Sequence, residues 1–299
     1  QVGVSVNLFV KHADSTSERC DILYYRMEEF LTKEERYAVM SKARDWRGID
    51  WEELEPDAKH RWLIDPTTRE FESYIPIASQ EAKSASWGDA KAIFKRYSRG
   101  AETARDAWVY DFNPSSLAAR MRDFVETYNS EVRRWTSHDG QNQEIREFLL
   151  DDDEQIKWSS SLRREAKRGK IVSYEPVKIR DAHFRPYCKK YLYFDRDLIH
   201  RTGLIPYFFP NSSVENRAIS LSCVGSNKPP HSIAVNCTPD VQLTSNGQAI
   251  PFYVYDEDGT NRRENVTDWA LDRFRSHYGD ESITKRDIFH YVYGVLHHE

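Results

Sequence analysis

The amino-acid sequence predicts an α+β fold, and three observations carry that prediction. Apolar residues alternate with small or polar ones at 2–10 and again at 20–27, and the polar loop between these segments predicts an N-terminal strand hairpin. A helical middle section follows, with one long apolar stripe at helical spacing. Beyond it, short strand patterns separated by turn residues predict a small antiparallel sheet, and two helices end the chain. Strands and helices are therefore grouped along the chain, which is typical of the α+β class.

The first predicted helix follows the hairpin in the segment LTKEERYAVMSKAR. Thr32 is followed three residues later by Glu35, which is the pattern of a capping box. We expect Tyr37 and Met40 to lie on one face of this helix. The residues at 44–63, which are rich in Trp and acidic side chains, are predicted to connect the helix to the next part of the chain.

Three shorter elements are predicted before the long helix. Residues 69–77 read as a weak strand, and residues 105–112 read as a second strand. Between them, a short helix is predicted to begin at Asp89 and to end at Gly100, since glycine commonly ends helices.

The longest predicted helix covers 115–135. Asn113 is its predicted cap, and Pro114 lies in its first turn, where a missing N–H costs nothing. A second helical stretch is predicted at 151–169, with an acidic start, a basic end and Gly169 as its stop. The apolar residues expected to bury the long helix are Leu117, Met121, Phe124, Val125 and Tyr128.

The last third of the chain alternates short strands with turns and ends in two helices. The helices are predicted at 265–279, closed by Gly279, and at 284–299. The last three strands should form the small antiparallel sheet. In chain order the predicted strands cover 170–180, 189–195, 217–225, 231–237 and 248–256.

Composition limits the class of protein. The chain has 299 residues, 39% of them hydrophobic and 30% charged, which suffices for one large or two ordinary domains with a core. No apolar run approaches the length of a membrane span, and the chain opens on a strand pattern rather than a signal peptide. We expect a cytoplasmic fragment of a longer polypeptide. The four cysteines are scattered singly and are expected to be reduced: Cys20, Cys188, Cys223 and Cys237.

The charge is segregated along the chain, although the net charge of −5 does not indicate a nucleic-acid binder. Between Lys157 and Lys190 there are eleven Lys or Arg residues against three Asp or Glu residues. Acidic residues concentrate elsewhere, notably at 151–154. Such a distribution is expected of a protein with one basic face.

No motif predicts a catalytic or metal centre. Glycine-rich phosphate loops, the H-E-x-x-H zinc motif and the G-x-S-x-G nucleophile elbow do not occur in the sequence. The segment PDAKH at 56–60 lacks the strand pattern and the partner acid of a nuclease cluster. We therefore predict no catalytic residue, no metal ligand and no cofactor in this chain.

Basic, amide and hydroxyl side chains are instead grouped on several loop-like segments. Lys and Arg neutralise phosphates, and Arg, Lys, Asn and Gln read base edges in the major groove. For each residue alone, a solvated surface position is the alternative. The predicted DNA-binding residues are Lys95, Arg96, Ser98, Arg99, Thr103, Arg105, Arg180, Arg185, Lys189, Lys190, Asn227, Lys228, Asn246 and Gln248.

Within this set, the loop at 98–104 is predicted to be backbone-accessible. Arg99 and Arg105 should contact DNA there; alternatively, Arg105 is fixed by a carboxylate behind the loop, supplied by Asp106 or Asp111. In the segment FRPYCKKYLYFD, the aromatic rings are expected to build the fold, and its cations either bind phosphates or support the fold as well.

Long segments of the sequence resemble a known family. FKRYSRGAETARDAWVYDF, FRPYCKKYLYFDR, IPYFFPN, CVGSNKPPHSIAVNCTPDVQLTSNGQAIPFYVYD and NVTDWALDRFRSHYGDESITKRDIFHYVYGVLHH are similar to the C-terminal part of type ISP restriction–modification enzymes. The resemblance covers most of 70–299, and the N-terminal hairpin resembles the last strands of the methyltransferase sheet. It implies a methyltransferase tail at 1–65 and a DNA target-recognition domain at 66–299.

The resemblance also implies what the intact enzyme does. Members of the family carry nuclease, ATP-driven translocase, adenine methyltransferase and recognition domains in one chain, so S-adenosylmethionine, ATP and Mg are expected in the parent. The present sequence lacks the methyl-donor loop and the adenine-binding motif, for which NPSS at 113–116 is no substitute. Expected partners are double-stranded DNA and the other domains of the same polypeptide, with no membrane. An inter-domain scaffold without DNA contact and a minimal DNA methyltransferase are the alternatives.

Overall fold

The computed structural model describes most of the chain and divides it into two compact units, residues 1–74 and 75–299. Helices and several small sheets together confirm the predicted α+β class. The described residues are 6–11, 20–28, 31–56, 60–63, 73–138, 144–150, 152–223, 226 and 228–298.

Within the described residues of the first unit, the structure has one helix, a 3-10 turn at Trp46–Gly48 and one pair of strands. Strand β1 (Ile22–Tyr24) pairs antiparallel with β2 (Glu52–Leu54). Helix α1 (Lys33–Ala43) begins at the predicted capping box, in which the Thr32 N–H donates to Glu35 Oε2 at 2.7 Å and the Glu35 N–H donates to Thr32 Oγ1 at 3.4 Å.

The N-terminal hairpin differs from the prediction in the part that the structure describes. Residues 6–11 contain no strand, and the partner of β1 comes from the connector instead. Its sequence, EEL, is poor in strand-forming residues, which is why no strand was expected there. Tyr37 and Met40 are both exposed, so the predicted face of α1 carries no buried residue. Residues 2–5 and 12–19, which belong to the predicted hairpin, lie outside the described residues.

The second unit carries the remaining elements. Its helices are α2 (Gln80–Ser84), α3 (Asp106–Val109), α4 (Pro114–Thr136), α5 (Ile145–Phe148), α6 (Ser160–Lys167), α7 (Ile205–Phe208), α8 (Asp268–Tyr278) and α9 (Lys285–Val295). Its strands are β3 (Ser98–Arg99), β4 (Tyr110–Asp111), β5 (Ile179–Arg185), β6 (Cys188–Tyr193), β7 (Ala218–Leu221), β8 (Ser232–Val235), β9 (Thr238–Pro239), β10 (Gln248–Pro251), β11 (Tyr253–Val254) and β12 (Arg263–Glu264).

Two four-stranded sheets organise this unit. The first has the order β3-β10-β7-β8 and is antiparallel throughout, which confirms the small sheet predicted near the C-terminus and adds β3 to its edge. The second has the order β4-β6-β5-β9, with β5 and β9 parallel. Strands β11 and β12 form a separate antiparallel pair.

Two large apolar clusters form most of the core in the described part of this unit, and a small third one consists of Ala82, Ala90 and Ala92. The predicted stripe of α4 is confirmed, since Leu117, Met121, Phe124, Val125 and Tyr128 are all buried in the larger cluster. The smaller of the two large clusters joins the first sheet to the two C-terminal helices through residues such as Ile219, Phe252 and Phe289. Burial of these side chains is the dominant stabilising contribution of such a unit.

The predicted cap of the long helix is confirmed, and both C-terminal helices also begin at capping side chains. Asn113 Oδ1 accepts from the backbone of Ser115 at 2.8 Å, with Pro114 in the first turn. Thr267 caps α8, which ends at Gly279 in the left-handed conformation with φ +66°. Helix α9 begins at a second capping box, formed by Thr284 and Asp287.

The prediction of a helix between Asp89 and Gly100 is wrong. This segment is irregular and leads into β3. Ala92, Ile93 and Phe94 are buried consecutively, so the segment is covered on all sides rather than on one helical face. Its N–H groups bond to other segments: Ile93 donates to the Pro76 carbonyl at 2.9 Å, for example.

Three other elements begin at residues different from those predicted, and each difference has a local cause. The strand predicted at 105–112 begins as the single turn α3, in which the Val109 N–H donates to the Arg105 carbonyl at 3.2 Å, and only its end is strand β4. The helix predicted at 151–169 is confined to α6, because the Ser159 side chain caps it. The strand predicted from residue 170 starts only at β5, after a 3-10 turn at Pro176–Lys178. The described part of 69–77 contains no strand.

Candidate nucleic-acid interface

One end of the first sheet gathers side chains from loops that are distant in sequence. Arg99, at the end of β3, lies opposite Gln248, at the start of β10. Gln248 also lies opposite Leu221, at the end of β7, which in turn lies opposite Ser232, at the start of β8. We call this the sheet end; the loops after β3 and β7 and before β8 and β10 all leave the sheet there.

Two predicted residues are in direct contact at the sheet end. Arg99 has 44% of its side chain exposed, and its Nη2 donates to Asn246 Oδ1 at 3.3 Å. Asn246 has φ +60°, a left-handed conformation that Asn tolerates better than most residues. Gly247 follows, and a Cβ there would lie 2.0 Å from Thr244 Oγ1, so the turn requires glycine.

Gln248 and Lys228 complete the predicted residues at this end. Gln248 is half-buried, with its Nε2 at 3.8 Å from Cys223 Sγ. Lys228 is exposed on the loop between β7 and β8. Asn227, on the same loop, lies outside the described residues. The sheet end therefore unites four predicted residues of three segments.

The expectation that the segment before β3 presents its cations to solvent is corrected for Lys95 and Arg96. Lys95 is 1% exposed, and its Nζ donates to the carbonyls of Ala82 at 2.5 Å, Lys83 at 3.3 Å and Ala85. Burial, with the nearby Arg96 charge, lowers the pKa of Lys95. Arg96 is half-buried, and its Nη1 donates to the Lys83 carbonyl at 2.8 Å.

Ser98 and Thr103 are likewise buried rather than presented to a ligand. The Ser98 hydroxyl accepts from the Leu204 N–H at 2.9 Å, and the Thr103 hydroxyl accepts from the Arg105 N–H at 3.3 Å. Gly100 is buried as well: a Cβ there would lie 2.7 Å from the carbonyl carbon of Asp240. The predicted backbone accessibility of this loop is therefore wrong, because the loop packs against the chain beyond β9.

Arg105 is a buried structural cation. It is 2% exposed; its Nε donates to the Lys157 carbonyl at 3.0 Å and its Nη2 to Ser159 Oγ at 2.6 Å. Burial lowers its pKa to about 10. The predicted carboxylate partner is wrong for both candidates, because Asp106 pairs with Arg185 at 3.1 Å and Asp111 pairs with Arg120 at 2.8 Å.

Arg180 and Arg185 support the second sheet. Arg180 donates to the carbonyls of Phe209 at 2.7 Å and Pro210 at 3.2 Å, and burial lowers its pKa to about 10. Arg185 is half-buried and bridges Asp240 Oδ1 at 2.9 Å and Asp106 Oδ2 at 3.1 Å. Both guanidinium groups are thus engaged within the protein.

The hairpin of β5 and β6 presents the two remaining predicted cations. Lys189 is exposed, and its Nζ donates to Asn236 Oδ1 at 2.9 Å. Lys190 is half-buried, with its Nζ 4.2 Å from the centre of the Phe184 ring. The expectation that aromatic residues of this segment build the fold is confirmed for Tyr193, which is fully buried and accepts from the Glu175 N–H at 3.0 Å.

Sequence reasoning missed Arg201 and Tyr187. Arg201 joins the sheet end through Glu102, because the two residues exchange backbone hydrogen bonds of 2.9 Å in both directions. Its side chain is 63% exposed. Tyr187 is 96% exposed at the tip of the hairpin, with φ +60°. No local pattern marks Arg201, since its pairing with Glu102 is long-range; the Pro186–Tyr187 pair between two strand patterns was the only signal for the tip.

Within the residues that the structure describes, no group of three or more His, Cys, Asp or Glu side chains is placed to hold a metal ion. Within the same residues, no helix is long and apolar enough to cross a membrane.

The fold and the site together define the class of protein: an α+β domain with guanidinium and amide side chains at one sheet end, as in domains that recognise nucleic acids. Residues 92–299 match the model of the type ISP C-terminal specificity domain. The chain belongs to that family, and the resemblance seen in the sequence is confirmed. No curated protein sequence matches the chain.

Solved structures with the same fold include three relatives. The cryo-EM structure of a DrdV–DNA complex is 31% identical with a TM-score of 0.72 and covers 93% of this chain and 27% of that chain. A nuclease-deletion mutant of the type ISP restriction–modification enzyme LlaGI, in complex with a DNA substrate mimic, is 25% identical with a TM-score of 0.63; the match covers 88% of this chain and 24% of that chain. The ATP-dependent type ISP enzyme LlaBIII bound to DNA is 21% identical with a TM-score of 0.67; the match covers 93% of this chain and 18% of that chain, and it shows the fold alone.

Proposed function

We propose that this chain is the DNA target-recognition module of a type ISP restriction–modification enzyme. The family match supports a specificity role, and the relatives solved with DNA support double-stranded DNA as the ligand. The observation that carries the proposal is the exposed guanidinium of Arg99 held by the amide of Asn246, with Gln248 beside them on the sheet. Arginine and amide groups are the side chains that read base edges.

The proposed interface is smaller than the sequence suggested. It consists of the sheet end, with Arg99, Asn246, Gln248 and Lys228, and of the hairpin cation Lys189. Lysines on the rims of such surfaces hold phosphates and set the register, whereas the central arginine and amides distinguish bases. Asn227 belongs to the proposal on sequence grounds alone.

The chain spans about a quarter or less of the length of the solved relatives, at 27%, 24% and 18%. We therefore assign catalysis to other domains of the intact enzyme, which would methylate adenine with S-adenosylmethionine and cleave unmodified DNA with ATP and Mg. Residues 1–65 would be the tail of its methyltransferase domain, and the enzyme would act in the cytoplasm. The module would contact these domains as well as DNA.

A duplex titration at several salt concentrations tests the proposal. Log affinity should fall linearly with log salt, by about 0.9 per phosphate neutralised. An affinity that does not change with salt, or an absence of binding at low salt, would favour an inter-domain scaffold. Calorimetry with S-adenosylmethionine tests the other alternative; heat of binding to this chain would indicate a minimal methyltransferase.

A further inference from the structure

A single carboxylate lies between the two exposed arginines of the sheet end. Glu102 Oε2 is 3.9 Å from Arg99 Nη1 and 3.5 Å from Arg201 Nη1. The Glu102 side chain is 29% exposed, so both pairs face solvent in part. The three side chains together carry a net charge of +1, where the two arginines alone would carry +2.

The main chain that carries this carboxylate is held by hydrogen bonds of its own, in addition to the ion pairs. The reciprocal backbone hydrogen bonds between Glu102 and Arg201 hold one side of the group. Gly203, two residues after Arg201, packs closely against Ser98, since a Cβ at Gly203 would lie 2.3 Å from Ser98 Oγ. Ser98 directly precedes Arg99 in β3. The main chain that carries the two arginines and the carboxylate is therefore well packed and hydrogen-bonded.

A carboxylate in this place acts differently on phosphates and on bases. A phosphate that approaches either guanidinium is repelled by the Glu102 charge at close range, and that repulsion reduces the attraction. The O6 and N7 atoms of guanine are neutral acceptors, so the same charge opposes them far less. Like charges placed against a wrong partner are a general way to gain specificity.

We propose that Glu102 is a specificity-determining residue that suppresses phosphate binding by Arg99 and Arg201 and so reserves both guanidinium groups for base edges. The proposal rests on the proposed function, since it concerns how the same surface distinguishes DNA sequences. It adds Arg201 to the base-reading residues and gives an acidic residue a role within a DNA-binding surface.

The test compares the unmodified chain with Glu102→Gln on a duplex of mixed sequence, by fluorescence anisotropy over a salt series. The variant should bind about 5- to 10-fold more tightly at ~0.1 M salt, with a salt slope steeper by about 0.9, as if one more phosphate were neutralised. Adding Arg99→Ala or Arg201→Ala to Glu102→Gln should remove most of this gain. Sequencing of duplexes selected from a random pool should show a slight sequence preference for the unmodified chain and none for Glu102→Gln.

A matched control makes the same charge change elsewhere. Glu281 Oε2 lies 3.6 Å from Arg275 Nη1, in an ion pair between helix α8 and the turn that follows it, and Glu281→Gln should leave both affinity and salt slope unchanged. An equal gain in duplex affinity for Glu281→Gln would overturn the inference, because it would show that the effect comes from net charge and not from the position of Glu102. Equal or weaker binding by Glu102→Gln, with unmodified binding intact, would overturn the inference alone. Failure of the unmodified chain to bind any duplex would overturn the proposed function and the inference with it.

Discussion

Arg99 and Arg105 lie in the same short stretch of sequence, yet they do opposite things. Arg99 faces solvent beside Asn246, whereas Arg105 is buried against Phe124, with its guanidinium 5.7 Å from the ring centre. What separates them is the surrounding chain, since the acceptors of Arg105 are the Lys157 carbonyl and the Ser159 hydroxyl. These partners are more than fifty positions away, so their role in burying Arg105 is invisible to any local pattern.

Arg99→Ala should weaken duplex binding and leave the fold intact. Arg99 is exposed and its partners are surface groups, so the free energy of unfolding should change by no more than about 0.5 kcal/mol. Anisotropy with a labelled duplex measures the first effect and urea unfolding the second. If the variant unfolds, and binding falls only in proportion to folded protein, the assignment of Arg99 to the interface is wrong.

Arg105→Ala should destabilise the protein. It leaves the Lys157 carbonyl without this buried donor and removes one of the hydrogen bonds of the Ser159 hydroxyl, which costs about 2 kcal/mol or more in the free energy of unfolding. Urea unfolding followed by Trp fluorescence measures this cost, with Arg99→Ala as the matched control from the same segment. A change as small as that of the control would show that the Arg105 hydrogen bonds add nothing to stability.

Gly100 was predicted from the sequence to have a structural role, but the role it has in the structure is a different one. The sequence marked it as structurally special and assigned it to a helix end. The structure instead requires glycine because the backbone of Pro239 and Asp240 approaches too closely for a Cβ. Composition identified the position, but the reason lies in a contact between segments that no local pattern encodes.

At the scale of elements, Asp240 joins three parts of the second sheet. It follows β9, accepts from Arg185 of β5 at 2.9 Å and from the Tyr110 hydroxyl of β4 at 2.9 Å, and is 2% exposed. Burial is the main cause that raises its pKa from 3.8 to about 6; the nearby Asp106 charge adds to the rise, and Arg185 opposes it.

Stability should therefore depend on pH through Asp240. Because the folded protein holds this proton more tightly than the unfolded chain, the contribution to the free energy of unfolding is fully present below pH ~4 and is lost as the pH rises to about 6. The decline amounts to about 3 kcal/mol by pH ~7. Urea unfolding of the unmodified chain and Asp240→Asn over this range should give a difference that follows this curve. Parallel pH profiles would contradict it.

Asp258→Asn is the control for that experiment. Hydrogen bonds from Thr260 lower the pKa of Asp258, so the sign is reversed, and its stabilisation is lost as pH falls below the ordinary range of an aspartate. Its removal should leave the decline between pH ~4 and ~7 unchanged.

Elements with a strong local signal were predictable, and those set by long-range pairing were not. Helices α4, α8 and α9 carry caps and apolar stripes in their own sequences, and all three were found at the predicted places. The segment from Asp89 to Gly100 has helix-forming residues, but its N–H groups are taken by other segments. Strand β2 likewise forms on an unfavourable sequence because β1 offers it a partner.

Across the whole molecule, the excess of Lys and Arg counted along the sequence is larger than the excess of unpaired cations at the surface. Many cations of 157–190 are paired within the fold: Lys170 with Asp197 at 2.5 Å, and Lys178 with Asp195 at 2.7 Å. Arg180 and Arg185 are engaged as well. The sequence thus predicted the presence of a basic segment, whereas only the structure shows how few of its charges remain for a ligand.

The salt dependence of duplex binding should accordingly be modest. If Lys189 and Lys228 supply the phosphate contacts, while Arg99 and Arg201 are reserved for base edges, the slope of log affinity against log salt should be about −2. Binding by this chain alone should be weak with little sequence preference, because a specific complex usually buries roughly 1,000 Å² or more. A much steeper slope, or tight site-specific binding, would mean that further residues contribute.

The recognition unit should require residues 75–91 in addition to the extent of the family match. Both large core clusters consist only of residues from 75–299, so a chain restricted to those residues should keep its urea midpoint and its duplex affinity. A shorter chain at 92–299, the extent of the family match, should be destabilised. It would lose the carbonyls of Ala82, Lys83 and Ala85, which would leave the buried Lys95 ammonium without acceptors. Urea unfolding of the two chains side by side measures the difference, and Lys95→Met in the shorter chain should recover part of it by removing the buried charge. Equal midpoints for both chains would show that 75–91 is dispensable and that Lys95 finds other partners.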